Sequence, residues 1–307
     1  MKFWSLFVLL ALAACSKNQE SPPPPAAPAE AAPPAADVAQ TFTAFRIGEW
    51  SAAALSDGAI EVPNDNQVFG VGRTPAEVAT VLTANGLPGD KLALALQPLL
   101  VTAGDRLLLF DTGAGTLFGP GSGKLQASLK DAGVDPHKVT DIFISHSHGD
   151  HVGGLVNAEQ QLAFPNATIH LSRAEWEFMS GQDDYKPVIP VLTPKVAAFA
   201  PGAELLPGVV TAVQIKGHTP GHSGYKISSG SESLLYVGDS MHHYVISVQQ
   251  PEWTIAFDGD SAVATASRVK LVNELAASGQ RVYAVHFPFP GLGRMEKQGD
   301  KVMWVAE

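Results

Sequence analysis

The chain has 307 residues, 45% of them hydrophobic and 16% charged, with a formal net charge of -10. That balance excludes a wholly disordered chain and fits one large domain or two small ones. The acidic excess argues against a nucleic-acid partner, whose phosphates need a basic surface. The single cysteine, Cys15, excludes an intrachain disulfide framework and a zinc site of several thiolates, so a transition-metal site has to use histidines and carboxylates.

Lys2 is followed by an apolar run from Phe3 to Ala14, then by Cys15. The run is too short to span a bilayer as a helix, and it has the order of a secretory signal. Leu12-Ala13-Ala14-Cys15 resembles the lipobox of bacterial lipoproteins. The resemblance implies cleavage before Cys15, lipidation of its thiol and anchoring on the periplasmic side of the bacterial cell envelope. Ser16 points to the outer membrane. Membrane contact would then be by the lipid anchor only. From Ser16 to about Ala36 the chain is almost entirely Pro, Ala, Ser and Glu, too poor in apolar surface to offset the entropy of ordering. The expected organisation is a signal peptide over 1–15, a Pro/Ala-rich disordered tether over 16–40 and a catalytic domain over 41–307.

Within that domain, Thr41 to Ile47 alternates as an edge strand. Pro75 to Asn85 predicts a helix, with Pro75 in the first turn and Val78, Val81 and Leu82 on one face. Gln97 to Thr102 and Arg106 to Phe110 are apolar runs around Ala103-Gly104-Asp105 and predict a hairpin. Lys124 to Ala132 is a second helix, closed by Gly133. Asp141 to Ser145, Ala167 to Leu171, Val209 to Ile215, Tyr225 to Ile227, Ser233 to Val237 and Val282 to Val285 are further strands. Asp260 can cap a long helix from Ser261 to Ala277 that Gly279 ends. Two groups of strands, each followed by helices, suggest a layered mixed α/β fold.

Polar clusters sit just after these strands, where loops carry chemistry on a rigid scaffold. In His146-Ser147-His148-Gly149-Asp150-His151, alternating residues of an extended segment point the same way, so His146 and His148 can grip one ion. The turn at Gly149 presents Asp150 and His151 in another direction, toward a second ion. Crowding three histidines and an aspartate at an apolar strand end is costly without a counterpart, so metal binding outweighs a purely structural reading. Downstream, His218 and His222 in Gly217-His218-Thr219-Pro220-Gly221-His222, Asp239 in Gly238-Asp239-Ser240, and His286 each follow a predicted strand. His137 and His170 read as structural residues.

The ordered set HxHxDH, GHTPGH, GDS and a late strand-end His resembles the metallo-β-lactamase superfamily over nearly all of Thr41 to Glu307. The resemblance implies a four-layer αββα sandwich with the site at one edge between the sheets. It implies that His146, His148 and His218 bind one ion, that Asp150, His151 and His286 bind another, and that Asp239 bridges them. Asp111, in Phe110-Asp111-Thr112-Gly113, matches a position that supports the ligands from behind. His222 is expected near the ligand loop without touching metal. With nitrogen and oxygen ligands the expected cofactors are two divalent ions, Zn²⁺ first, with Mn²⁺, Fe²⁺ or Co²⁺ as alternatives. Two cations sharing a water lower its pKa toward neutrality and give a hydroxide nucleophile. Asp150 is a candidate to move the proton, within its limits as a ligand.

The expected carboxylate bridge speaks against a true β-lactamase, where the corresponding residue is typically Cys or Ser. A glyoxalase-II-type thioesterase stays open. The segments FDTGAG, SHSHGDHVGG, LAFPNA, GHTPGH and HFPFPGLG resemble the methyl parathion hydrolase and quorum-quenching lactonase-like branch. That implies a small-molecule lactone, ester or phosphotriester substrate, such as an acyl-homoserine lactone or an organophosphate. Dimers are common among such enzymes, which makes a second copy of the chain a candidate partner. Some lactonases place a Tyr three residues after the bridging Asp; here that residue is His242, with Tyr244 two further on. His242, His243, Tyr244, Phe287 and Phe289 are candidate substrate-pocket residues, and Trp176, Phe178, Tyr185, Trp253 and Phe257 are further aromatics expected on loops. A metal-binding protein without catalysis would use the same ligands and is the least favoured reading.

Overall fold

The computed structural model describes residues 40–307. The signal-like segment, Cys15 and almost all of the proline-rich stretch lie outside the described residues. Two seven-stranded sheets dominate. The first runs Phe42–Ile47, Trp50–Leu55, Leu99–Ala103, Arg106–Phe110, Asp141–Phe143, Thr168–Ser172 and Val196–Phe199 in spatial order. The second runs Glu204–Leu206, Val210–Gln214, Ser223–Ser229, Glu232–Tyr236, Arg281–Tyr283, Leu292–Gln298 and Lys301–Ala306. Phe42–Ile47 is an edge strand, and Leu99–Ala103 pairs antiparallel with Arg106–Phe110, as the sequence predicts.

Period-two alternation decides which side chains go where. Leu99, Val101, Leu108 and Phe110 face the space between the sheets, where they meet Tyr225, Ile227, Leu234, Tyr236 and Tyr283. Leu100 and Leu109, on the opposite face, pack with Leu125, Leu129 and Met179 from the helices Leu125–Asp131 and Arg173–Gly181. On the far side of the second sheet, Leu235, Val237 and Val282 pack with Val272 and Leu275 of the helix Ser261–Ser278. The layers are therefore helices, sheet, sheet, helices, the four-layer αββα sandwich the resemblance implies. Asp260 caps the long helix by accepting from the Val263 amide, and Gly279, at φ 64°, ends it.

From Arg106–Phe110 to Val196–Phe199 the first sheet is parallel, and Glu232–Tyr236 lies parallel to Arg281–Tyr283 in the second. Parallel neighbours need crossover connections; the three outer helices lie in three of them, and the fourth, from Asp141–Phe143 to Thr168–Ser172, carries the short helix Gly149–Val152. Parallel strands also end at the same edge, so the loops after Phe110, Phe143, Tyr236 and Tyr283 collect there. A separate antiparallel ribbon, Gly58–Pro63 with Lys91–Leu96, packs against the helix Pro75–Ala84 through Val62, Leu92, Leu94, Val78 and Leu82. Thr74 and Glu77 close that helix with a reciprocal capping box. The ribbon and the helix Arg173–Gly181 are additions to the elements the sequence predicts, and the helix carries Trp176 and Phe178, which are therefore not on a loop.

Candidate metal centre

Asp141–Phe143 runs into His146 and His148, and the short helix Gly149–Val152 then carries Asp150 and His151. Val210–Gln214 leads to His218, Glu232–Tyr236 to Asp239, and Arg281–Tyr283 to His286. The seven expected ligands converge. His146, His148, His218 and Asp239 each offer an atom within 4.8 Å of the others, and so do Asp150, His151 and His286. Asp239 reaches both groups: Oδ1 is 3.0 Å from His286 Nε2 and 3.2 Å from His151 Nε2, while Oδ2 is 3.5 Å from His218 Nε2 and 3.7 Å from His146 Nε2.

The outward ring nitrogens decide the state of the inward ones. His151 Nδ1 donates to Asp111 Oδ2 at 2.7 Å, His218 Nδ1 to Asp258 Oδ1 at 3.0 Å, and His286 Nδ1 to the Ala95 carbonyl at 2.8 Å. A neutral imidazole that donates from one nitrogen presents a bare lone pair at the other. His146 Nε2, His148 Nδ1 and His218 Nε2 form a triangle with edges of 3.0, 3.0 and 3.1 Å. Nitrogens bound tetrahedrally to one Zn²⁺ at ~2.0–2.1 Å are spaced by about 3.3 Å, close to these edges. His151 Nε2 and Asp239 Oδ1 are buried without a hydrogen-bond partner. Buried lone pairs left unpaired are costly, and a divalent cation satisfies several at once. The donor set therefore fits two divalent ions.

The charges agree. Burial, with His151 adding to it, pushes the His146 imidazole well below its usual range, and burial takes His218 down to about 3. Burial also lowers His148. These rings are neutral, the form that ligates. At His151 and His286 burial acts the same way, but the Asp239 and Asp150 carboxylates outweigh it and raise both, with Asp111 adding at His151. Burial opposes ionisation of Asp239, yet His151, His286 and His146 hold it well below the usual carboxylate range. Carboxylates here draw in positive charge that cations can supply.

Residues behind the ligands fix their aim. Asp111 takes φ 56°, a left-handed conformation that Asp tolerates better than most residues. Its carboxylate accepts from the Ser145 amide and hydroxyl, His151 Nδ1 and the Tyr236 hydroxyl, each at 2.7 Å. His222 uses both nitrogens elsewhere: Nδ1 donates to the Ile215 carbonyl at 3.0 Å, and Nε2 accepts the Asp239 amide at 2.9 Å. It holds Asp239 and has no lone pair left for a metal. Asp258, Arg268 and Glu175 complete this shell and were not singled out in the sequence. Arg268, buried on the long helix, donates to Asp258 Oδ2 at 3.1 Å.

A family model described as "Metallo-beta-lactamase superfamily" matches residues 98–286. The chain belongs to the metallo-β-lactamase superfamily. Among solved members of the superfamily fold, it is 32% identical to AidC, described as a dizinc quorum-quenching lactonase, with 87% of this chain and 97% of that one covered and a TM-score of 0.81. It is 26% identical to the hydrolase AbOPH, with the same coverages and a TM-score of 0.78. A "Probable metallo-hydrolase" of Mycobacterium tuberculosis is 27% identical over 188 residues, covering 50% of this chain; the match spans 58% of that relative's length.

The superfamily site here opens into a cavity of about 380 Å³. His148, Asp150, Asp239, His242 and His286 form its polar side, and Ile60, Leu94, Phe118, Ala256 and Phe257 its apolar wall. His242 is buried with neither ring nitrogen hydrogen-bonded, and its Nε2 is 3.3 Å from Asp239 Oδ2. Four expectations are corrected. Phe287 is fully buried, edge-on to Trp304 at 4.9 Å, and Tyr244 packs on the same cluster. Phe289 packs against the core between the sheets. The chain turns just after the strand Arg281–Tyr283, with the Phe287 amide donating to the Ala284 carbonyl at 3.2 Å, and this turn sends Phe287 into the core while His286 faces the site. His243 accepts the Val245 and Ile246 amides at Nδ1 and serves as a turn cap; burial takes it down to about 4.

Proposed function

We propose that the protein is a metal-dependent hydrolase with a binuclear centre, acting on an uncharged lactone, ester or phosphotriester that carries an apolar substituent. The observation that carries this reading is one carboxylate, Asp239, within reach of two imidazole sets at the floor of a half-apolar cavity. His146, His148 and His218 would hold one ion and Asp150, His151 and His286 the other, with Asp239 serving both. When bound, two divalent cations supply Lewis acidity and bring the pKa of a shared water toward neutrality, which provides a hydroxide nucleophile.

The chain's own residues do the rest. His222 fixes the Asp239 backbone, while Asp111 and Asp258 fix the tautomers of His151 and His218. Asp150, 12% exposed at its side chain against 5% for Asp239, is the more open of the two carboxylates that line the cavity and is placed to take the proton of the attacking water and hand it to a leaving alkoxide. His242 is free to donate a hydrogen bond to a substrate oxygen. Ile60, Leu94, Phe118 and Phe257 would take an acyl or aryl group and exclude water from it. No Lys or Arg is among the lining residues, which favours a neutral reacting group. The likeness to AidC and AbOPH supports the lactone and the broader hydrolase reading.

The test is a substrate panel on metal-replete protein: a long-chain acyl-homoserine lactone, a nitrophenyl ester, a phosphotriester, a thioester and nitrocefin. Turnover of the lactone or of the oxygen and phosphorus esters is expected. Hydrolysis of nitrocefin alone, or of the thioester alone, would overturn the ranking. We also propose that the chain is anchored to the envelope through Cys15; metabolic labelling with a fatty-acid analogue tests it, and Cys15→Ser should abolish the labelling.

A further inference from the structure

Glu175 is fully buried in the first turn of the helix Arg173–Gly181. Both of its oxygens are engaged, and they face two different loops. Oε1 accepts the Ser147 amide at 2.7 Å and the Ser147 hydroxyl at 2.6 Å. Oε2 accepts the Thr219 hydroxyl at 2.7 Å and the Gly221 amide at 2.9 Å. Ser147 stands between His146 and His148, and Thr219 follows His218. The three imidazoles of one metal set thus sit on two loops from two sheets, with one carboxylate joining those loops. The helix is fastened to the second loop again by Ser172, whose hydroxyl accepts the Glu175 amide and donates to the Gly221 carbonyl at 2.7 Å. Tyr185 donates to the Ser147 carbonyl from the other side. Burying a carboxylate is expensive, and hydrogen bonds from two loops are what make this burial tolerable.

We propose that Glu175 is the positioning residue of the His146, His148 and His218 set, holding the two loops at the separation that sets their nitrogen triangle before an ion arrives. The proposal rests on the reading that this set binds a metal. Loops already held in place lose little freedom on binding, so affinity at this set depends on the clasp. No hydrogen bond joins Glu175 to Asp150, His151 or His286, so the other set does not depend on it directly.

Glu175→Gln separates the possibilities. The amide keeps the shape, but its NH₂ cannot accept, so one loop is released whichever way the side chain turns. The measurement is zinc uptake by the full chain in competition with a chromophoric chelator, with Co²⁺ absorption to identify the weakened set. The wild type should take two ions. In Glu175→Gln one step should weaken by about 10–100-fold, the range for lost support behind a ligand, while the other is unchanged. Thr219→Val removes one of the four donors and should weaken the same step by less; it carries the test if Glu175→Gln does not fold. Two unchanged steps, or equal weakening of both, would overturn the proposal. A wild type that takes up no ion would instead overturn the metal reading, and the proposal with it.

Discussion

His218 Nδ1 and Asp258 Oδ1 are 3.0 Å apart in the core, and Arg268 holds the other Asp258 oxygen. The carboxylate fixes the ring's tautomer and makes Nε2 a better base. Asp258→Asn keeps the volume but offers His218 a weaker acceptor and turns an NH₂ toward Arg268. Metal affinity should fall about 10-fold, within the range for this kind of contact, while the fold survives. Chelator competition checks it; undiminished affinity would deny Asp258 the role.

Gly238 lies immediately before Asp239 at φ 51°, and a Cβ there would be 2.6 Å from His222 Nε2 and 2.9 Å from Ser145 Cβ. Gly238→Ala should push His222 off the Asp239 amide. The expected cost is about 1–3 kcal/mol, from backbone strain and a buried amide left unpaired. Urea denaturation of metal-free protein measures it, and turnover should drop in parallel. An unshifted midpoint would contradict the assignment.

His242→Phe keeps the ring and removes both nitrogens from the cavity. If His242 donates to a substrate oxygen, kcat/KM should fall by about 10–100-fold, some 1.4–2.7 kcal/mol. His242→Tyr, which restores a donor, should recover part of the loss. Equal activity of the phenylalanine variant and wild type would make His242 a wall residue only.

Phe257→Ala removes part of the apolar wall. The ring is already 37% exposed, so the substrate contact it provides is worth about 1–2 kcal/mol, less than full burial. KM for a long-chain substrate should rise by roughly 10-fold, with kcat held and short-chain substrates little affected. Steady-state kinetics across chain lengths decides it.

Asp141 offers a test of stability against pH away from the metal ligands. Burial opposes its ionisation, but hydrogen bonds from His170, Thr140 and Arg106 outweigh it and hold the carboxyl below its ordinary 3.8. A depressed folded-state pKa contributes stability above the unfolded value, lost as pH falls through the folded one. Wild type should therefore outlast Asp141→Asn at pH 6–7, and the gap should close below about pH 4. A gap independent of pH would mean that packing, not charge, is at stake.

Much of the site was legible because its chemistry is concentrated in sequence. His146 to His151 announce a metal in six residues, and Asp239 and His286 stand at the ends of apolar runs that predict strands. Glu175 was not legible: in the first turn of an amphipathic helix, an acid looks like an ordinary solvated charge, and only tertiary packing buries it. Asp258, beside Gly259 and ahead of the Asp260 cap, reads as part of a turn. The ribbon Gly58–Pro63 with Lys91–Leu96 was missed because its Ala and Lys residues carry weak strand preference, and packing on the helix Pro75–Ala84 decides its state. With the ribbon went Ile60 and Leu94 of the cavity wall. Phe287 and Phe289 adjoin His286 in sequence but not in the cavity, because the turn that follows the strand sends them into the cores on either side of the second sheet.

Each donor set draws from both halves of the sandwich: His146 and His148 with His218 in one, Asp150 and His151 with His286 in the other. An ion in either set would therefore act as a rivet through two plates, and removing it would loosen their docking as well as empty a site. Saturation at a thousand times Kd adds about 4.1 kcal/mol per ion to the folded state. Demetallation should accordingly lower the melting temperature of the entire domain as one transition, making loss of cofactor and loss of fold successive stages of the same failure.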